Sequence, residues 1–91
     1  MQANRIQMVV KEPLYMKIAE AILKFIKENH LKEGERLPSE RALAEQCATS
    51  RNSVREALRV LEQEGFISVQ TGRGIYVAKD TERDFIHMTL W

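Results

Sequence analysis

The sequence predicts a mainly α fold closed by a small β-hairpin. Three observations carry that expectation. Apolar residues recur at three- and four-residue steps in successive stretches before Gly65. Breaks at Gly34 and at Ala48-Thr49-Ser50 divide those stretches. After Gly65 the apolar period changes from 3.6 to 2, the period of a half-buried strand.

The first helix is expected over about residues 14–29. Pro13 suits the first helical position, because its ring pre-sets φ and its missing N–H is not needed there. Leu14, Ile18, Ile22, Phe25 and Ile26 form the apolar face, while Lys17, Glu20, Lys24, Lys27 and Glu28 fill the other. Asn29 and His30 suit the helix end, and Gly34 marks the loop. Arg36-Leu37-Pro38 reads as a short extended piece, since a residue before proline is pushed out of the helical region. Ser39 then reads as an N-cap, with Glu40 in the first turn where the helix dipole favours an anion. A second helix follows over about residues 39–47, with Leu43, Ala44 and Cys47 on its apolar edge. The hydroxyls of the next turn can cap a third helix ending near Glu64, whose buried stripe is Val54, Ala57, Leu58 and Leu61. Gly65 supplies a left-handed stop. Ile67 and Val69, then Ile75 and Val77, alternate with polar or small residues around Thr71-Gly72-Arg73-Gly74, which reads as a hairpin. In this order the elements match a winged helix-turn-helix.

Composition bounds the alternatives. The chain has 91 residues, 44% apolar and 30% charged, which fits one small globular domain. Fourteen basic residues against thirteen acidic ones leave a net charge of +1, which argues neither for nor against a polyanionic partner. The single cysteine, Cys47, excludes an internal disulfide and a cysteine-based zinc site; on its apolar edge it reads as a small core residue. No apolar run approaches the ~18 residues of a membrane span, and residues 1–10 lack a signal-peptide core. A soluble chain in a reducing, cytoplasmic compartment is the expectation. Residues 1–12 carry no clear period and read as an N-terminal arm, in which Met8-Val9-Val10 reads equally as a short strand. Residues 80–84 read as a linker, and the apolar residues 85–91, ending in Trp91, are too few to fold alone.

The third helix carries the functional signal. With Arg51 at 0° and 100° per residue, the buried stripe falls at about 240–340°, and Asn52, Arg55 and Arg59 fall near ~100°, ~40° and ~80°. Arg51/Arg55 and Arg55/Arg59 are like-charge pairs four residues apart, which weaken an isolated helix. Arg51 also opposes the helix dipole. An anion outside the chain explains a cluster that works against its own helix; the alternative is a plain solvated face. A nucleic acid explains more of the residues together. Arginine can pair with guanine and asparagine with adenine in the major groove. Thr49, Ser50 and Ser53 offer hydroxyls for phosphate oxygens. Arg73 stands at the hairpin tip, where it can reach a neighbouring groove. A second reading is a protein-interaction module that binds an acidic protein surface, favoured by the near-neutral charge and by Glu56 on the groove face. Glu56 can instead orient Arg41 or Arg59 by an ion pair. An enzyme is not expected: His30 and His87 lie far apart and neither has a spaced carboxylate or cysteine partner, so His30 reads as a neighbour of a helix C-terminus.

Four segments carry a family resemblance. Leu37-Pro38-Ser39-Glu40-Arg41-Ala42-Leu43-Ala44-Glu45 comes first. Ser50-Arg51-Asn52-Ser53-Val54-Arg55-Glu56-Ala57-Leu58, Leu61-Glu62-Gln63-Glu64-Gly65 and Gly72-Arg73-Gly74-Ile75-Tyr76-Val77 follow. Together, over residues 13–79, they resemble the DNA-binding domain of GntR-family bacterial transcription regulators. Val54-Arg55-Glu56-Ala57-Leu58-Arg59 is most similar to the FadR-type subgroup. The resemblance implies a homodimeric regulator, a metabolite-responsive repressor or an activator, on a short palindromic double-stranded DNA operator. It implies DNA contacts from Arg41, Arg51, Asn52, Ser53 and Arg55. It also implies a wing tip of Thr71, Gly72 and Arg73 at the minor groove, although some relatives carry histidine at the position of Thr71. Ser50 joins this set as a candidate phosphate contact. The turn Ala48-Thr49-Ser50 departs from the family's more usual Val-Ser ending. Members of the family continue into an effector-binding and dimerisation domain. Residues 84–91 therefore resemble the start of a linker into a missing domain, where a small-molecule effector would bind; no cofactor or metal is expected in this chain.

Overall fold

The computed structural model describes residues 13–78. The arm read at residues 1–12, the linker read at 80–84 and the apolar segment 85–91 lie outside the described residues.

Helix α1 spans Leu14–Glu28, α2 Glu40–Gln46 and α3 Arg51–Gln63, and strands β1 (Ile67–Gln70) and β2 (Gly74–Val77) complete the order. Pro13 sits one position earlier than expected, as the N-cap of α1 rather than its first residue: its ψ of 153° is extended, and its carbonyl accepts the Met16 N–H at 3.0 Å. Asn29 caps the other end, its Nδ2 donating to the Phe25 carbonyl at 2.8 Å. His30 then leaves the helix with φ 53°.

Helices α1 and α2 and strand β1 all pack on α3. The core joins Ile18, Ala19, Ile22, Leu23 and Ile26 of α1 to Val54, Ala57, Leu58 and Leu61 of α3, and Leu43 of α2 and Phe66 belong to the same cluster. Two expected members of the α1 face behave differently. Leu14 is 55% exposed, because the first turn overhangs the core, and Phe25 is only partly buried. Ala19 and Leu23 take the central places instead, which shifts the buried stripe around the helix.

β1 and β2 pair antiparallel with Ile67 opposite Val77 and Gln70 opposite Gly74. Ile67, Ile75 and Val77 are buried, whereas Val69 is 40% exposed, because the hairpin runs past the edge of the core. β2 has a second neighbour. Arg36 forms an isolated antiparallel bridge with Tyr76. The Leu37 N–H donates to the Ile75 carbonyl at 2.7 Å, and the Val77 N–H donates to the Glu35 carbonyl at 2.8 Å. The extended piece before Pro38 thus ties the hairpin to the entrance of α2.

Candidate nucleic-acid interface

The interface is built on two capped helix starts. The Ser39 side chain accepts the Ala42 N–H at 3.1 Å, which fixes the first turn of α2 and places Glu40 as its first residue. The chain leaves α2 through Ala48, which takes φ 52°, and through the Thr49 N–H bond to the Ala44 carbonyl at 3.0 Å. Ser50 then caps α3: its Oγ accepts the Ser53 N–H at 3.1 Å and donates to Ser53 Oγ at 3.0 Å. Ser50, a candidate phosphate contact, makes both of these bonds within its own helix start.

Arg51 and Arg55 meet on Glu40. Arg51 Nε donates to one carboxylate oxygen at 3.2 Å. Arg55 donates from Nε at 3.0 Å and from Nη2 at 3.1 Å. The hydrogen bond from Arg55 is the largest influence holding the Glu40 carboxyl below its ordinary pKa, against the opposing cost of partial burial. The same bond raises the Arg55 pKa further.

This pairing corrects the charge argument made from sequence. No acidic residue stands in the first turn of α3, and an external anion was the expected counter-charge. Glu40, on the preceding helix, supplies one for two of the arginines. It does not consume them. A guanidinium carries five N–H donors. Arg55 gives Glu40 the side edge of its fork and Arg51 gives only Nε–H. The end of each fork makes no hydrogen bond among the described residues, and the side chains stay 62% and 53% exposed. That end edge is what a bidentate pairing with guanine uses. Glu56 does not take the orienting role considered for it: Arg41 pairs with Glu45 at 3.8 Å, on a strongly exposed site. Arg59 makes no ion pair among the described residues.

Two grooves group the remaining candidates. One, of about 480 Å³, brings Arg41 and Arg51 together beside Ala48 and Thr49. The other, of about 360 Å³, runs between the hairpin and α2, where Thr71, Gly72 and Arg73 face Ser39 and Glu40. Asn52 is exposed on α3 and Ser53 half-buried. At the hairpin tip the Arg73 N–H donates to the Gln70 carbonyl at 2.9 Å. Gly72 occupies the third position of that turn with φ 77°, a position that needs a left-handed residue in a type II turn. A Cβ there would meet nothing within 4 Å, so backbone conformation rather than internal crowding calls for glycine. Sequence reasoning missed Glu40 as a partner of the arginines; its only signal was an acid at a helix start.

Over residues 14–77 the chain matches the family model described as bacterial regulatory proteins, gntR family. It belongs to the GntR family. Among curated relatives, the Exu regulon transcriptional regulator of Escherichia coli K12 is 37% identical over 78 residues, covering 84% of this chain and 30% of the relative. The chain thus spans under a third of the length of that regulator. Among solved structures, the possible transcriptional regulator YydK of Bacillus subtilis superposes with a TM-score of 0.73 at 35% identity, covering 75% of this chain and 30% of that one. The DNA-binding domain of AraR in complex with operator ORX1 superposes with a TM-score of 0.69 at 28% identity, covering 75% of this chain and 82% of that one. The three helices and hairpin are the winged-helix fold of this family. Its relatives are transcription regulators, not enzymes. Among the described residues no helix is long and apolar enough to cross a membrane.

Proposed function

We propose that this chain is the operator-reading module of a bacterial transcription regulator, with α3 in the major groove and the hairpin as a wing at the minor groove. One observation carries the reading: Glu40 holds Arg55 by its side edge and Arg51 by Nε–H, and leaves the ends of both forks open on an exposed helix start. The AraR domain bound to its operator supports double-stranded DNA as the partner. Arg41, Asn52 and Ser53 flank the forks as further contacts. Thr71, Gly72 and Arg73 serve the wing.

The finer reading is a cytoplasmic, homodimeric repressor of the FadR type. Two copies would place their α3 helices in successive major grooves, about 34–36 Å apart, on an inverted repeat. A metabolite bound in a further domain would change the spacing of the two modules and release the DNA. The Val54-to-Arg59 segment supports the subgroup, and the length of the relatives supports the further domain.

Selection of bound sequences from random DNA with this chain tests the proposal. The expected result is an enriched inverted repeat. Loss of Arg55 should then cost about 5- to 150-fold on the enriched sequence and much less on random duplex. No retention of duplex at low salt would overturn the reading and leave the acidic protein surface as the partner.

A further inference from the structure

We propose that Arg36 is a phosphate-binding residue at the base of the wing, an inference that rests on the DNA reading above. Its backbone is fixed: Arg36 bridges Tyr76, and its neighbour Leu37 is 3% exposed. Its head group is also placed. A Cβ built on Gly74 would lie 2.7 Å from Arg36 Nε, 3.0 Å from Nη2 and 3.1 Å from Cζ. The guanidinium therefore lies against the bare backbone of Gly74, and any larger residue there would push it away. Gly74 meets this with φ 142°, a conformation that glycine alone takes without strain.

Among the described residues no carboxylate pairs with the Arg36 guanidinium, and the residue is exposed. It lines the groove between wing and α2 together with Arg73 and Thr71. Glu40 lines the same groove, but its oxygens are engaged by Arg51 and Arg55. Among the described residues no free carboxylate completes Arg36, and the proposed role supplies that anion from a bound duplex. On a duplex whose minor groove receives the wing tip, the nearest anions to the wing base are backbone phosphates. Arginine can bind these by two parallel N–H bonds, and a pre-placed head group loses little freedom in doing so. The contact adds affinity without reading sequence.

Salt titration of the 91-residue chain on random-sequence duplex DNA separates this role from simple bracing. Arg36→Met keeps the apolar stem and removes the charge; Arg36→Lys keeps the charge. Each phosphate neutralised contributes about −0.9 to the slope of log K against log salt. Arg36→Met should flatten the slope by about that amount, so that raising salt from about 50 to about 200 mM costs it about threefold less affinity than wild type. Arg36→Lys should keep the wild-type slope. A folded Arg36→Met protein, checked by circular dichroism, with the wild-type slope overturns the inference and assigns Arg36 to bracing the wing, whatever its affinity. A wild-type chain with no salt dependence overturns the DNA reading itself, and this inference with it.

Discussion

Glu40→Gln is the substitution that tests the interface most directly. The carboxylate holds two arginines through three N–H···O contacts of 3.0 to 3.2 Å. A glutamine keeps the size but offers one neutral oxygen, and its amide nitrogen repels a guanidinium. Arg51 and Arg55 then sample their rotamers freely and must be ordered when DNA arrives. Ordering one such side chain costs about two- to twelvefold in affinity, and two cost about 5- to 150-fold. The same substitution removes a negative charge beside the duplex, which favours phosphates of any sequence. The two effects therefore separate by substrate. Fluorescence anisotropy on the enriched operator and on random duplex should show the ratio of the two affinities falling by that factor, with binding to random duplex unchanged or tighter. An unchanged ratio would refute the view that Glu40 presents the forks. A higher ratio would show that Glu40 withholds them.

Three further outcomes follow from the geometry. Because the Glu40 carboxyl titrates below its ordinary value in the folded chain, its contribution to stability is present above the unfolded pKa and is lost as pH falls through the folded one. The Tm difference between wild type and Glu40→Gln should be constant near neutrality and shrink only in acid; a difference that persists unchanged through the acid range contradicts the assignment. Ser39→Ala removes the acceptor of the Ala42 N–H and should cost about 0.5–2 kcal/mol in urea unfolding, with Ser39→Asp restoring most of it. Phe66, 1% exposed between α3 and β1, should cost about 3–5 kcal/mol when cut to alanine; a loss below about 1 kcal/mol would place it outside a packed core.

The elements legible in the sequence were those set by near neighbours. Ser39 and Ser50 declare helix starts because a cap acts over three residues. Gly65 declares an end because its φ of 84° is one that other residues avoid. The Thr71-to-Gly74 turn is legible for the same reason. What stayed hidden depends on how α2 crosses α3. Glu40 lies 11 and 15 residues from its two arginines, so a helical wheel drawn on α3 alone shows repulsion where the fold has a shared carboxylate. The bridge from Arg36 to Tyr76 is a single pair, too short for any two-residue alternation to announce. The exposure of Val69 is set by where the core ends, which strand periodicity does not encode.

The tie between the hairpin and the residues preceding Pro38 has a mechanical consequence. Because β2 is fastened on one side to β1 and on the other to the chain entering α2, the two probing edges of the molecule behave like the jaws of a fixed caliper. In the proposed complex such a gauge would accept only one separation between the bases met by the helix and the stretch met by the tip. A half-site lengthened or shortened by a single base pair between those two stretches should be refused, even with every contacted base retained.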